Sequence, residues 1–154
     1  MTHYFLDSSA LIKRYVNELG TSWIRGITAT EAGHVIVGAS ITPVEVVSGI
    51  MRLKREGALD ESAARAIRVL ADRHAGDDYF SIGLTEETIE QAEDILEKYA
   101  LRASDSIQLA LALRSRVRLA LDPLTSLMFV SSDSRLLAAA AAEGLPTIDP
   151  NDRA

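Results

Sequence analysis

The chain has 154 residues, 47% of them apolar and only 5% aromatic, enough for one buried core over 1–154 and too apolar for intrinsic disorder. It has no cysteine, which removes disulfides, thiolate zinc sites and thiol nucleophiles. A net charge of −6 argues against a general basic nucleic-acid binder. The longest apolar run, LLAAAAA, is seven residues, against the ~20 that span a membrane. MTHYFLD has no basic stretch before its acid at position 7, unlike a signal peptide, so a soluble protein of a reducing cytoplasm is expected.

HYFLD reads as a short buried strand, followed by a helix capped by Ser8 or Ser9 and running through Tyr15. Gly20 and Thr21 open a second helix with Trp23, Ile24 and Ile27. HVIVGAS is β-branched and bounded by Gly33 and Ser40, as a strand should be. Thr42-Pro43-Val44-Glu45 has the form of a capping box with proline at the first helical position, and its helix should stop at Gly57. Asp60 caps the next helix, expected to end near Gly76. YFSIGL is a third strand, Thr85-Glu86-Glu87 starts a helix reaching Tyr99, and Ser104 begins the apolar helix DSIQLALAL. Asp122-Pro123 suggests a turn. LMFVSS is a fourth strand, Asp133 opens the last helix, Gly144 follows it, and Pro146-Thr147-Ile148 makes a short fifth strand. Strands separated by helices, with no tight hairpin signal, predict an α/β fold with a parallel sheet of four to five strands and right-handed crossovers.

Four acids stand where a strand hands over to a helix: Asp7, Glu45, Asp105 and Asp133. Asp7 and Asp133 fall at carboxyl ends of strands, where open parallel sheets hold ligands; Glu45 and Asp105 fall on first helical turns, where the dipole favours negative charge. Each has a bland explanation alone: a strand end, a capping box, a dipole partner, a helix cap. Four in matching contexts point to one carboxylate cluster and so to a divalent metal. Other chemistries fit less well. There is no G-x-S-x-G elbow around Ser8 or Ser9, no glycine-rich phosphate loop, and His3, His34 and His74 fit no metal-ligand spacing. Asp7-Ser8-Ser9 lacks the second aspartate of a phosphoaspartate-forming hydrolase. Basic residues are clumped at Lys13–Arg14, at Arg52, Lys54 and Arg55, and at Arg114, Arg116 and Arg118, a rim or simply solvated helix faces.

LDSSALIKRYVNE, TPVEVVSGIMR, LRASDSIQLALAL and VSSDSRLLAAAAAEG resemble the four motif regions of PIN domains, particularly the VapC-type toxins of toxin–antitoxin pairs. The likeness runs from position 4 to about 149; between Leu113 and Leu127 the chain is longer and less typical. The resemblance implies a PIN-like three-layer α/β/α fold and a Mg²⁺- or Mn²⁺-dependent endoribonuclease. It maps the family's acids onto Asp7, Glu45, Asp105 and Asp133, and its small hydroxyl residues onto Ser9 and Ser131. It also implies a homodimer and a cognate antitoxin that places an arginine among the carboxylates. RNA contacts are expected from Lys13, Arg14, Arg52, Lys54, Arg55 or Arg102, which flank the acid motifs. The alternatives are a non-catalytic PIN-like binding module and a metal-dependent phosphohydrolase.

Overall fold

Among the described residues, β-branched and aromatic side chains build five short strands: β1 (His3–Leu6), β2 (Val35–Ala39), β3 (Tyr79–Ile82), β4 (Leu127–Val130) and β5 (Thr147–Ile148). The computed structural model describes residues 1–119 and 125–153, and the turn expected at Asp122-Pro123 lies outside them. The strands pair in the order β3-β2-β1-β4-β5, all in parallel. Among the described residues seven α-helices connect them: α1 (Ser8–Leu11), α2 (Thr21–Thr28), α3 (Thr42–Arg55), α4 (Glu61–Asp77), α5 (Glu86–Lys98), α6 (Ala103–Arg118) and α7 (Ser134–Ala142). Among the described residues no helix is long and apolar enough to cross a membrane.

The period of two along the strands divides the core. Leu6, Ile36 and Val130 point to one face and pack with Leu11 of α1, Ile24 of α2, Val46 and Ile50 of α3, and Ala64 and Ala71 of α4. Phe5, Val37 and Phe129 point to the other and pack with Ile95 of α5, Leu109 of α6 and Leu136 of α7. Phe5 and Phe129, in register on neighbouring strands, stack with ring centroids 5.7 Å apart. This is the three-layer α/β/α arrangement. The chain steps β1 to β2 to β3 through helices of the first face, then returns to the far side of β1 through α5 and α6 on the second. Opposite directions of travel require opposite faces if every crossover is right-handed.

Several local expectations are corrected. The first helix is capped by Asp7, whose extended backbone (φ −74°, ψ 174°) lets its side chain accept from the Ala10 amide, so neither Ser8 nor Ser9 caps it. That helix also ends at Leu11 and tightens into a 3₁₀ turn over Ile12–Arg14 instead of running to Tyr15. No capping box forms at Thr42: Ile41 is already in helical conformation, and the Thr42 and Glu45 side chains turn to Gln108. The fourth helix ends at Asp77, one residue past Gly76 and so where it was expected. The box does appear one helix later, where Thr85 and Thr88 bond reciprocally to each other's amides at 3.2 and 2.8 Å.

Gly20 precedes α2 with φ 85°, and a Cβ there would stand 2.5 Å from the Pro150 carbonyl oxygen. Gly57 has φ 79° with nothing within 4 Å of such a Cβ. Gly57→Ala should cost about 1–2 kcal/mol, the left-handed backbone alone. Gly20→Ala should cost clearly more, because the terminal turn must also move; urea melts of the two variants check the difference.

Candidate active site

β1 lies between β2 and β4, so the connections diverge on either side of its carboxyl end, the place where an open parallel sheet leaves a crevice. Asp7 follows β1 directly, and Asp133 follows β4. Asp7 is 3% exposed. Its Oδ1 accepts from the Ala10 amide at 2.9 Å and the Ser9 hydroxyl at 2.8 Å, and its Oδ2 accepts from the Ser131 hydroxyl at 2.7 Å. Both serine oxygens in turn accept amides: Ser9 Oγ from Ser132 at 2.9 Å and Ser131 Oγ from Asp133 at 3.0 Å. Those amides fix the hydroxyls so that their protons point at the carboxylate. Even so, burial dominates. It pushes the Asp7 carboxyl up to about 6 from 3.8, the Asp105 charge adding to the rise and the hydrogen bonds opposing it.

Asp105, on the first turn of α6, is 9% exposed and accepts from Arg102 Nε at 3.1 Å. The same guanidinium stands 3.9 Å from Asp133 Oδ2. Asp133 divides its oxygens: Oδ1 caps α7 through the Arg135 and Leu136 amides at 2.9 and 3.2 Å, leaving Oδ2 for Arg102. Glu45, half-buried on the first turn of α3, accepts from Ser8 Oγ at 3.1 Å and Gln108 Nε2 at 2.7 Å. Arg102, Asp105, Asp133 and Arg135 line an open polar pocket. The Asp105 charge raises the Asp7 pKa, and Asp105, Asp133 and Glu45 together hold the Arg102 proton more firmly than usual, the hydrogen bond that Arg102 donates to Asp105 first. The four acids thus act on one region. Among the described residues, however, no group of three or more Asp, Glu or His side chains is arranged to hold a metal ion. The cation seated among these acids is Arg102.

The other basic candidates differ in availability. Lys13 is 5% exposed, and its ammonium is taken by the Leu19 carbonyl at 2.9 Å and Glu18 at 3.2 Å, which argues against a phosphate contact. Arg14 donates to the Tyr79 hydroxyl and, at 3.1 Å, to Asp78. Lys54 is 3.5 Å from Glu61. Arg52, Arg55 and Arg102 are exposed. His34 and His74 have ordinary partners in the Thr2 amide and the Tyr15 hydroxyl. Two contributors escaped the sequence reading: Ser8 and Gln108, the side chains that hold Glu45. The available signal was the spacing of Gln108 from Asp105, three residues along one helix and therefore on the same face.

The chain matches no curated protein sequence. Among solved structures it is similar to PAE2754 from Pyrobaculum aerophilum, at 18% identity and a TM-score of 0.64, over 99% of this chain and 92% of that one. It is similar to FitAcB from Neisseria gonorrhoeae, at 14% identity and a TM-score of 0.60, over 96% and 97% of the two chains. A toxin–antitoxin complex from Klebsiella pneumoniae is similar at 20% identity and a TM-score of 0.58, over 96% and 97%. At these identities the likeness is one of fold. The PIN domain family itself matches residues 4–143, a span that holds all four acids and, but for His3, the first four strands, and the chain belongs to that family.

Proposed function

We propose that this PIN-family chain is a Mg²⁺- or Mn²⁺-dependent endoribonuclease, the toxin of a toxin–antitoxin pair. In this reading it works as a cytoplasmic homodimer restrained by a cognate antitoxin. The observation that carries the catalytic part is Asp7: a carboxylate buried at the switch point of the sheet, with a second acid close enough to raise its pKa further. A purely structural cap has no need of that burial. The likeness to a toxin–antitoxin complex supports the toxin part.

The donor set suits a hard divalent ion, since every candidate ligand is a carboxylate oxygen. Mg²⁺ keeps several waters and needs few protein ligands, so acids that approach without enclosing a site remain compatible with it. Asp7 and Asp105 would hold it, with Asp133 Oδ2 and Glu45 contributing directly or through water. When bound, such an ion lowers the pKa of water and draws charge from a phosphoryl group. The chain's own residues do the rest. Ser9 and Ser131 keep Asp7 oriented, Ser8 and Gln108 keep Glu45 oriented, and the α7 cap fixes Asp133. Arg102, with its side chain 79% exposed, is able to turn from the acids to a substrate phosphate. Arg52 and Arg55 extend the basic surface along α3. Single-stranded or loop RNA is the substrate class whose bases such a rim reaches.

One observation favours the second reading, a non-catalytic PIN-like module: Arg102 already answers Asp105 and Asp133 and, among the described residues, no three acids are arranged to hold a metal ion. Calorimetric titration with Mn²⁺ separates the two, the nuclease reading requiring binding that Asp7→Asn and Asp105→Asn weaken. RNA cleavage should fall at least about a hundredfold in either variant, since a divalent ion supplies several kcal/mol of transition-state stabilisation. Turnover of nitrophenyl phosphate in place of RNA would move the assignment to a phosphohydrolase.

Asp7 also makes stability depend on pH in a definite sense. Below about pH 4 it is protonated whether the chain is folded or not, and the folded state keeps its full advantage. Between about 4 and 6 the unfolded chain ionises while the folded one retains its proton, so stability is lost as pH rises through the folded pKa. The shift of about two pH units corresponds to something on the order of 3 kcal/mol. Metal-free Asp7→Asn should therefore lack this decline and be at least as stable as wild type at pH 7. Mn²⁺ should raise the wild-type Tm more than that of the variant. Thermal melts across pH 3–8, with and without Mn²⁺, measure both effects.

A further inference from the structure

Gln108 lies one helical turn after Asp105 on α6 and is 1% exposed. Its Nε2 donates to Glu45 Oε1 at 2.7 Å and to Thr42 Oγ1 at 3.0 Å, while its Oε1 is buried without a hydrogen-bond partner among the described residues. The direction of the amide follows from chemistry: turned over, its carbonyl oxygen would face the Glu45 carboxylate, acceptor against acceptor. Packing does not explain the residue either. A leucine or methionine of similar volume would fill the same space without stranding a polar atom. What the amide achieves is a grip on Glu45 from the second helical layer, opposite the Ser8 hydroxyl that holds Oε2 at 3.1 Å.

This grip has a geometric consequence. Asp105 and Gln108 share one face of α6, so the helix that carries one acid of the site also anchors another. The separation of Glu45 from Asp105 is then set by a rigid turn of helix. Ser8 adds the second reference point, since its neighbour Asp7 caps the same short helix. Without Gln108, Glu45 would keep Ser8 alone and would be freer to rotate toward solvent from its half-buried position.

We infer that Gln108 is a positioning residue of the acid centre, holding the Glu45 carboxylate at fixed distance from Asp105; the inference rests on the hydrolytic reading of that centre. The test is a double-mutant cycle between Gln108→Met, which removes the donors and keeps the volume, and Glu45→Gln. RNA-cleavage kcat/KM and the Mn²⁺ Kd from calorimetry are the two readouts, with Tm as the control for folding. With Glu45 present, Gln108→Met should lower kcat/KM and weaken Mn²⁺ binding by about tenfold each, the usual scale for partners that orient ligands. In the Glu45→Gln background the same change should cost less than about twofold, because there is no carboxylate left to hold. Gln108→Asn, which keeps the amide but withdraws it by one methylene, should behave like Gln108→Met and stands in for it should the latter not fold.

Equal losses in both backgrounds, or no loss in either, overturn the positioning role while leaving a Mn²⁺-binding nuclease intact. A wild type that cleaves RNA without taking up Mn²⁺, yet keeps the coupling, removes the metal and retains Gln108's role. A wild type that neither binds nor cleaves removes both.

Discussion

The placement of β1 between β2 and β4 decides most of the site's architecture, because it puts the residue after β1 at the one point where the sheet's connections part. That residue is Asp7, and the fold closes over it. Two serine hydroxyls, each held by an amide from the segment after β4, converge on its carboxylate. The contacts also tie the ends of β1 and β4 together beyond their ladder, so the same bonds serve architecture and electrostatics. A buried carboxylate accepting several hydrogen bonds would ordinarily sit well below 4; here desolvation outweighs them, and the group is held near 6. A site that keeps an acid in that state has a standing preference for a cation.

Arg102 answers part of this preference, though not firmly. It pairs with Asp105 at 3.1 Å and approaches Asp133 at 3.9 Å, yet its side chain is 79% exposed. Ion pairs open to solvent contribute about 0–1 kcal/mol, so this one is readily exchanged. Asp7 receives no contact from it and remains the uncompensated member. The acids therefore divide into a buried one that asks for a cation and an outer pair whose cation is replaceable. On the proposed nuclease reading, a centre that binds an ion and must also be accessible to substrate has reason to be built in this way.

The elements were legible in the sequence wherever a local cause sufficed. The β-branched run at Val35–Ala39, the apolar run at Leu127–Val130, the cap at Asp60 and the stop at Gly57 all follow from short-range preferences. The misreadings arose where a tertiary partner outbid a local one. Thr42 and Glu45 have the spacing of a capping box, but Gln108 arrives from 63 or more residues away and takes both side chains. Ser9 resembles a cap and instead serves Asp7, which takes over the capping itself. The acids could be singled out as candidates from their positions at element ends, and Ser9, Ser131 and Arg102 were named beside them; the holders of Glu45, Ser8 and Gln108, were not, since they come from other helices. Gln108 was passed over because within DSIQLALAL it reads as a polar interruption of an apolar face, and only its spacing from Asp105 marks it.

Distance separates the basic residues that bear on this site from those that do not. Glu45 and Arg55 occupy opposite ends of α3, an arrangement that suits the helix dipole, and at 1.5 Å per residue they lie about 15 Å apart along its axis. That exceeds the screening length of about 8 Å at physiological ionic strength. The charges at Arg52 and Arg55 thus do little to relieve the acids; in the last turn of α3 they suit its dipole. Lys13 and Arg14 are absorbed by Glu18, Asp78 and Tyr79. Compensation at the acids has to come from within a few ångströms, from Arg102 in this chain or from an ion, and electrostatically the two are competitors for the same carboxylates.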